Sequence, residues 1–246
     1  MIDGLLITEL NKLTPGSSYI FLDYDGTLVP IIMNPEQSLA DPELIEMLTE
    51  LRSKYKLFIV SGRSPEEIKR FIPLDLNLIC YHGACSIVNG KTYYYNNAQS
   101  FLGIFNEIYQ SSLNLVNEFP GLRIYKKNLA VLYHFGLMKP QDVPALERVI
   151  VEISQKEHVD VYKGKMIFEL RVPGVNKGIA IKNVRDEETA LIAGDDATDE
   201  CSFKYNEDAI TIKVGPGKTS AHFRVNDYSE MREVLKLLLN NAEKRS

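Results

Sequence analysis

The stretch Tyr19-Ile20-Phe21-Leu22-Asp23-Tyr24-Asp25-Gly26-Thr27-Leu28 is a short apolar run that ends in two carboxylates, a glycine and a threonine. Short apolar runs bounded by turn residues suit strands buried on both faces of a parallel sheet. The pattern then repeats. Lys56-Leu57-Phe58-Ile59-Val60 ends in Ser61-Gly62-Arg63, and Ala190 to Ala193 ends in Gly194-Asp195-Asp196. Leu76 to Cys80 and Ala209 to Val214 read as further strands. Helices are predicted between them. Asp41-Pro42-Glu43 places a cap before a first-turn proline, and Leu44, Met47, Leu48 and Leu51 then share one face. Ser64-Pro65-Glu66-Glu67 is a capping box. A helix starts near Asn176, another past Asp196, and the last carries Met231, Val234, Leu235 and Leu238. Strands alternating with helices predict an α/β fold with a doubly wound, mainly parallel sheet.

The middle of the chain breaks this rhythm. Asn89-Gly90 between Ser86-Ile87-Val88 and Thr92-Tyr93-Tyr94-Tyr95 is a strong hairpin pattern. A helix over about 99–119 follows, then strands near Arg123 to Lys126 and Leu129 to Phe135. A helix from about Asp142 and strands at Val159 to Tyr162 and Met166 to Leu170 complete the segment. Strands joined by tight turns form antiparallel sheets. The reading is therefore an α/β core of residues 1–83 and 171–246, interrupted by an α+β insertion of residues 84–170.

Composition narrows the function. The 246 residues are 45% hydrophobic, enough to bury a sizeable core. The net charge of -5 and the lack of a basic run argue against a nucleic-acid partner. No apolar stretch approaches the roughly 20 residues needed to span a bilayer. Asp3 and Glu9 stand where a secretory leader needs a basic region before an apolar run, so a cytoplasmic protein is expected. Cys80, Cys85 and Cys201 show no zinc-ligand spacing and read as reduced thiols.

Ligands of open parallel sheets bind beyond the carboxyl ends of the strands. Asp23, Asp25, Ser61, Asp195, Asp196 and Asp199, with Lys177 opening a helix, would meet at one rim there. Carboxylates at that density repel unless a cation joins them. All-oxygen ligation suits Mg²⁺, which keeps waters and holds a substrate phosphate. Lys177 would add positive charge toward that phosphate, and Gly26 and Gly62 would let backbone N–H groups approach it. An ionised Asp23 could then attack phosphorus, splitting one displacement into two. Asp25 would serve as general acid and then as general base.

These residues resemble the four ordered motifs of the haloacid dehalogenase superfamily. More closely, Phe21 to Leu28, Tyr81-His82-Gly83-Ala84, Glu169-Leu170-Arg171, Asn176-Lys177-Gly178 and Gly194 to Glu200 look like trehalose 6-phosphate phosphatases. The resemblance runs from about Tyr19 to the C-terminus. It implies Asp23 as nucleophile and Mg²⁺ ligand, Asp25 as acid/base and ligand through its carbonyl, and Asp195 as the remaining protein ligand. Asp196 and Asp199 would support the metal shell, and Ser61 and Lys177 the phosphoryl oxygens. Gly26, Thr27, Gly62, Arg63 and His82 would face the substrate from the core, and Lys165 and Glu169 from a mobile cap formed by the insertion. The implied partner is a small sugar phosphate, with functional coupling to a trehalose 6-phosphate synthase. Cys85, Gly136 and Val172 depart from the family pattern, all on the sugar side. Two other readings are a phosphatase of another glycosyl or hexose phosphate and a non-catalytic regulatory homologue. The latter would usually lack a catalytic residue, and none is missing here.

Overall fold

In the computed structural model, residues 2–32, 35–95, 97–164 and 166–243 are described. The chain divides into two compact units, one of residues 1–93 with 176–246 and one of residues 94–175.

The larger unit opens with a helix that the sequence reading did not contain, α1 (Gly4–Leu10), capped by Asp3 and burying Leu6 and Leu10. β1 (Tyr19–Asp23), α2 (Pro42–Lys54), β2 (Lys56–Val60), α3 (Pro65–Phe71) and β3 (Asn77–Cys80) follow. The predicted caps form. Asp41 accepts from the Leu44 N–H at 2.9 Å, and Ser64 and Glu67 bond reciprocally at 2.8 and 3.1 Å. These caps satisfy N–H groups that have no partner within the helix. The four α2 residues predicted to share a face are all buried, each contributing about 1.5–3 kcal/mol over exposure.

The hairpin β4 (Cys85–Val88) and β5 (Lys91–Tyr94) extends the large sheet, a correction to its placement in the insertion. Asn89-Gly90 dictates a local turn but not the sheet that the turn serves. Here Cys80 pairs with Cys85 across a four-residue connection, so β4 adds antiparallel to β3. Lys91 to Tyr94 are exposed, as suits an edge strand.

The smaller unit holds α4 (Phe101–Ser112), α5 (Leu115–Glu118), β6 (Arg123–Lys127), β7 (Ala130–His134), α6 (Val143–Glu157), β8 (Asp160–Gly164) and β9 (Ile167–Arg171). Its strands form an antiparallel sheet in the order β6-β7-β9-β8. Phe105 and Ile108 of α4 and Leu146 and Ile150 of α6 are buried, as are Val131, Tyr133, Phe168 and Leu170 of the sheet. The single helix predicted over 99–119 is broken after Ser112. The Ser112 hydroxyl is buried against the Tyr133 hydroxyl at 2.7 Å, and Leu113-Asn114 leaves the helical bonding pattern where weak helix formers cluster.

The larger unit resumes with α7 (Lys177–Arg185), β10 (Ala190–Gly194), α8 (Asp199–Tyr205), β11 (Ile210–Val214), the short β12 (Phe223–Val225) and α9 (Tyr228–Glu243). Its eight strands run β12-β11-β10-β1-β2-β3-β4-β5, with β12 to β3 mutually parallel. One core cluster joins Phe21, Phe58, Ile79 and Ile192 of the sheet to Ile181 of α7 and Phe203 of α8. The alternate residues Ile20, Leu22, Leu57 and Ile59 are buried as well, so both faces are covered, with α2 on β2 and α9 on α2. The predicted α/β class with a mainly parallel sheet is the fold observed.

Candidate active site

Parallel register decides where the polar strand ends fall. Asp23 lies opposite Val60, and Leu22 lies opposite Ala193. Asp23, Ser61 and Gly194-Asp195 therefore reach the same rim from three adjacent strands. Lys177 arrives from another direction, one residue past the Asn176 cap of α7, which accepts from Ile179 at 2.9 Å.

The centre is an ion-pair triad. Lys177 Nζ donates to Asp23 Oδ1 at 2.7 Å and to Asp199 Oδ1 at 2.8 Å. All three side chains are no more than 7% exposed. Asp199 Oδ2 accepts from the backbone N–H groups of Asp195 and Asp196 at 3.0 and 3.1 Å. One carboxylate thus ties the Asp195 loop to Lys177. One oxygen each of Asp23, Asp195 and Asp199 lies within 4.8 Å of the others.

This cluster carries more negative charge than its lysine can balance. Burial, reinforced by Asp199, Asp195 and Asp196, holds Asp23 above the usual carboxylate range despite Lys177. Burial, with Asp199 and Asp196, pushes Asp195 up to about 7. Burial takes Asp199 to about 6, with Lys177 offsetting part of the rise. Burial also opposes ionisation of Asp196, but Lys177 and hydrogen bonds from Thr198 draw it down to about 2. Burial alone would discharge Lys177; Asp199 and Asp23 outweigh it and hold it charged. A hard divalent cation fits such a set, since it takes carboxylate oxygens and would relieve their mutual repulsion.

Two glycines make room for the functional groups. Gly26 has φ +84°, and a Cβ there would lie 2.1 Å from Asp195 Oδ2. A Cβ on Gly62 would lie 2.2 Å from His82 Nε2, so the His82 ring rests on the turn after β2. His82 itself adopts φ 55°. Thr27 is buried, and its hydroxyl has no hydrogen-bond partner among the described residues. Ser61 is buried, with its hydroxyl accepting from Arg63 N–H at 3.2 Å.

Other predicted residues take places that the sequence did not announce. Arg63 forks onto Asp25, Nε to Oδ2 at 2.6 Å and an Nη to Oδ1 at 2.8 Å. Asp196 accepts from the Thr198 N–H and hydroxyl at 2.8 and 2.7 Å, bracing the turn into α8. Glu169 is buried on β9, with Lys127 at 3.0 Å and Arg171 at 3.7 Å. Lys165 lies outside the described residues.

Lys213 was missed. It is a buried lysine on β11 whose Nζ donates to the carbonyls of Asp195 and Val214. Its signal in the sequence was a charge inside the apolar run Ile210-Thr211-Ile212-Lys213-Val214.

The family model described as trehalose-phosphatase matches residues 21–233. A trehalose-6-phosphate phosphatase-related protein of Thermoplasma acidophilum is 60% identical over 219 residues, covering 89% of this chain and 96% of the relative. A bifunctional trehalose-6-phosphate synthase/phosphatase of Thermoproteus tenax is 30% identical, over 89% of this chain but only 31% of its own length. The crystal structure of a trehalose-6-phosphate phosphatase related protein superposes with a TM-score of 0.89 at 57% identity, covering 93% of this chain and all of that one.

Proposed function

We propose that this chain, which belongs to the trehalose-phosphatase family and is accordingly a phosphatase, hydrolyses trehalose 6-phosphate through an aspartyl-phosphate on Asp23. The observation that carries the reading is the meeting of Asp23, Asp195 and Asp199 around Lys177 at one strand rim.

Asp23, Asp195 and Asp199 would hold Mg²⁺, and Lys213 would fix the Asp195 carbonyl beneath them. A bound cation would supply positive charge to the phosphate and favour the ionised nucleophile. Lys177 shares both tasks, holding Asp23 ionised and attracting the phosphate. Asp23 attacks phosphorus as Asp25 protonates the departing sugar oxygen. Asp25, now a carboxylate, takes a proton from the water that attacks the acyl-phosphate, and Asp23 is restored. Ser61, the Thr27 hydroxyl and the backbone beside Gly26 and Gly62 would receive the phosphoryl oxygens. His82, Lys165 and Glu169 are proposed to meet the sugar. The substrate is supported by the 60% identical relative, a trehalose-6-phosphate phosphatase-related protein, and by the T. tenax enzyme, a bifunctional trehalose-6-phosphate synthase/phosphatase. Fusion of a phosphatase segment with a synthase in that enzyme supports coupling of this chain to a synthase. No helix among the described residues is long and apolar enough to cross a membrane.

The test is phosphate release from a panel of sugar phosphates, with Mg²⁺ and with EDTA, beside Asp23→Asn. Preference for trehalose 6-phosphate, abolished by EDTA and by the variant, is the expected outcome. Metal-dependent release with another preferred sugar would overturn the substrate and keep the mechanism. Full turnover by folded Asp23→Asn would overturn the mechanism.

A further inference from the structure

An acid/base residue has to be aimed as well as present. Asp25 follows β1 on a turning loop, and its side chain is 35% exposed, so the loop alone leaves its carboxylate free to rotate. The Arg63 fork removes that freedom. Two parallel hydrogen bonds from one planar guanidinium fix both the position and the plane of a carboxylate.

The guanidinium is itself held. It lies over the Phe71 ring at 4.5 Å, and Phe71 stacks on Tyr24 at 6.0 Å. Its remaining arm meets Glu67 Oε1 at 3.5 Å, while Glu67 Oε2 accepts from the Ser64 N–H in the α3 capping box. Arg63 is 12% exposed. A chain of fixed contacts thus runs from the start of α3 through Arg63 to Asp25. Among the described residues, Nε and both Nη atoms each reach a carboxylate of the protein.

We propose that Arg63 is the positioning residue of the general acid, acting through Asp25 and not as a ligand of the sugar or phosphate. The inference rests on the reading of Asp25 as acid and base. In the first step an Asp23 oxygen bonds to phosphorus as the bond to the leaving oxygen breaks, and the Asp25 O–H bond breaks as its proton passes to that oxygen. In the second step Asp25 takes a proton from water as the new P–O bond forms. The bond between phosphorus and Asp23 then breaks, releasing orthophosphate and the Asp23 carboxylate. Each carboxylate oxygen keeps a second lone pair outside the fork, so the proton can be given and taken there while both bonds to Arg63 hold the plane. A lysine, with a point charge, holds position but not plane.

The experiment compares Arg63→Gln, Arg63→Lys and Asp25→Asn, and each Arg63 variant combined with Asp25→Asn, on trehalose 6-phosphate and p-nitrophenyl phosphate. Nitrophenolate leaves without a proton, whereas a sugar alkoxide does not. On the sugar phosphate, Arg63→Gln should lower kcat about 10–100-fold with KM little changed, and Arg63→Lys should recover part of the loss. On p-nitrophenyl phosphate, Arg63→Gln should release a burst of nitrophenolate before a slow phase, because hydrolysis of the intermediate still needs the base. In the Asp25→Asn background, loss of Arg63 should cost nothing further. A raised KM with unchanged kcat, or the same loss with and without Asp25, would overturn the proposal and make Arg63 a substrate ligand. Equal losses on both substrates without a burst would make its role structural. If Arg63→Gln fails to fold, Arg63→Lys carries the same comparisons. Sugar-phosphate turnover unaffected by Asp25→Asn would instead bring down the acid/base reading, and this inference with it.

Discussion

Replacing Lys177 by Met removes a charge and little volume. In the native site Nζ lies 2.7 Å from Asp23 and 2.8 Å from Asp199, with every partner buried. Removing one member of such a set leaves uncompensated buried carboxylates, at a cost of about 3–5 kcal/mol. The sign with pH follows from the carboxylates. With Lys177 present, burial already lifts Asp199 to about 6 and Asp23 above its ordinary range, and Lys177 opposes both rises. Without it both rise further. A carboxylate raised in the folded state binds protons that the unfolded chain has lost, so the penalty is absent below about pH 4, grows through the neutral range and is greatest above the folded-state value. The chain has no tryptophan, so urea unfolding in EDTA is followed by far-UV circular dichroism. At pH 8 the transition of the larger unit should move down by about 1–2 M urea, and at pH 4.5 by much less. A shift near zero at pH 8, or a larger one at pH 4.5, would refute the account of the triad.

Three further outcomes are expected. Gly26→Ala forces a side chain onto a backbone at φ +84° and against Asp195 Oδ2; activity should fall by about 10² or more, with a stability loss of about 1–3 kcal/mol, read from kinetics and thermal unfolding. Mg²⁺ affinity, measured by calorimetry, should weaken as pH falls from 8 to 5.5, because Asp195 and Asp199 titrate at about 7 and about 6 in the metal-free site and protons compete with the cation; heats at pH 6.5 should vary with buffer as protons are released. Asn206→Ala deletes buried donors to the carbonyls of Gly178 and Ser202 at 3.1 and 2.9 Å and should cost about 1–3 kcal/mol in urea unfolding.

The strand rim was legible because it is written locally. Tyr19 to Thr27 carries both the apolar run and the carboxylates, and Ser64 to Glu67 holds a complete cap within four residues. What the sequence hid depends on pairing at a distance. Arg63 reads naturally as a ligand contact, since its pairing with Asp25 spans 38 positions. Lys213 finds the Asp195 carbonyl only through the β10–β11 register. Asn89-Gly90 announced a turn, while the side-by-side placement of Cys80 and Cys85 decided which sheet it extends. The three residues of β12 are too few for any periodicity, and the first helix has only Leu6 and Leu10 on its buried side.

The position of β1 between β2 and β10 also has a bearing on biosynthesis. On the ribosome, β1 finds its first neighbour within about 40 residues, but its second edge has no partner until β10 emerges roughly 170 residues later. At ~5–20 residues per second that interval is on the order of ten to thirty seconds. During it a strand of Ile, Phe and Leu keeps a bare edge, the kind of surface that invites pairing with other nascent chains. Lys177, 154 positions from Asp23, appears only near the end of the same interval. The nascent half-sheet is therefore a natural client for a chaperone until β10 has emerged.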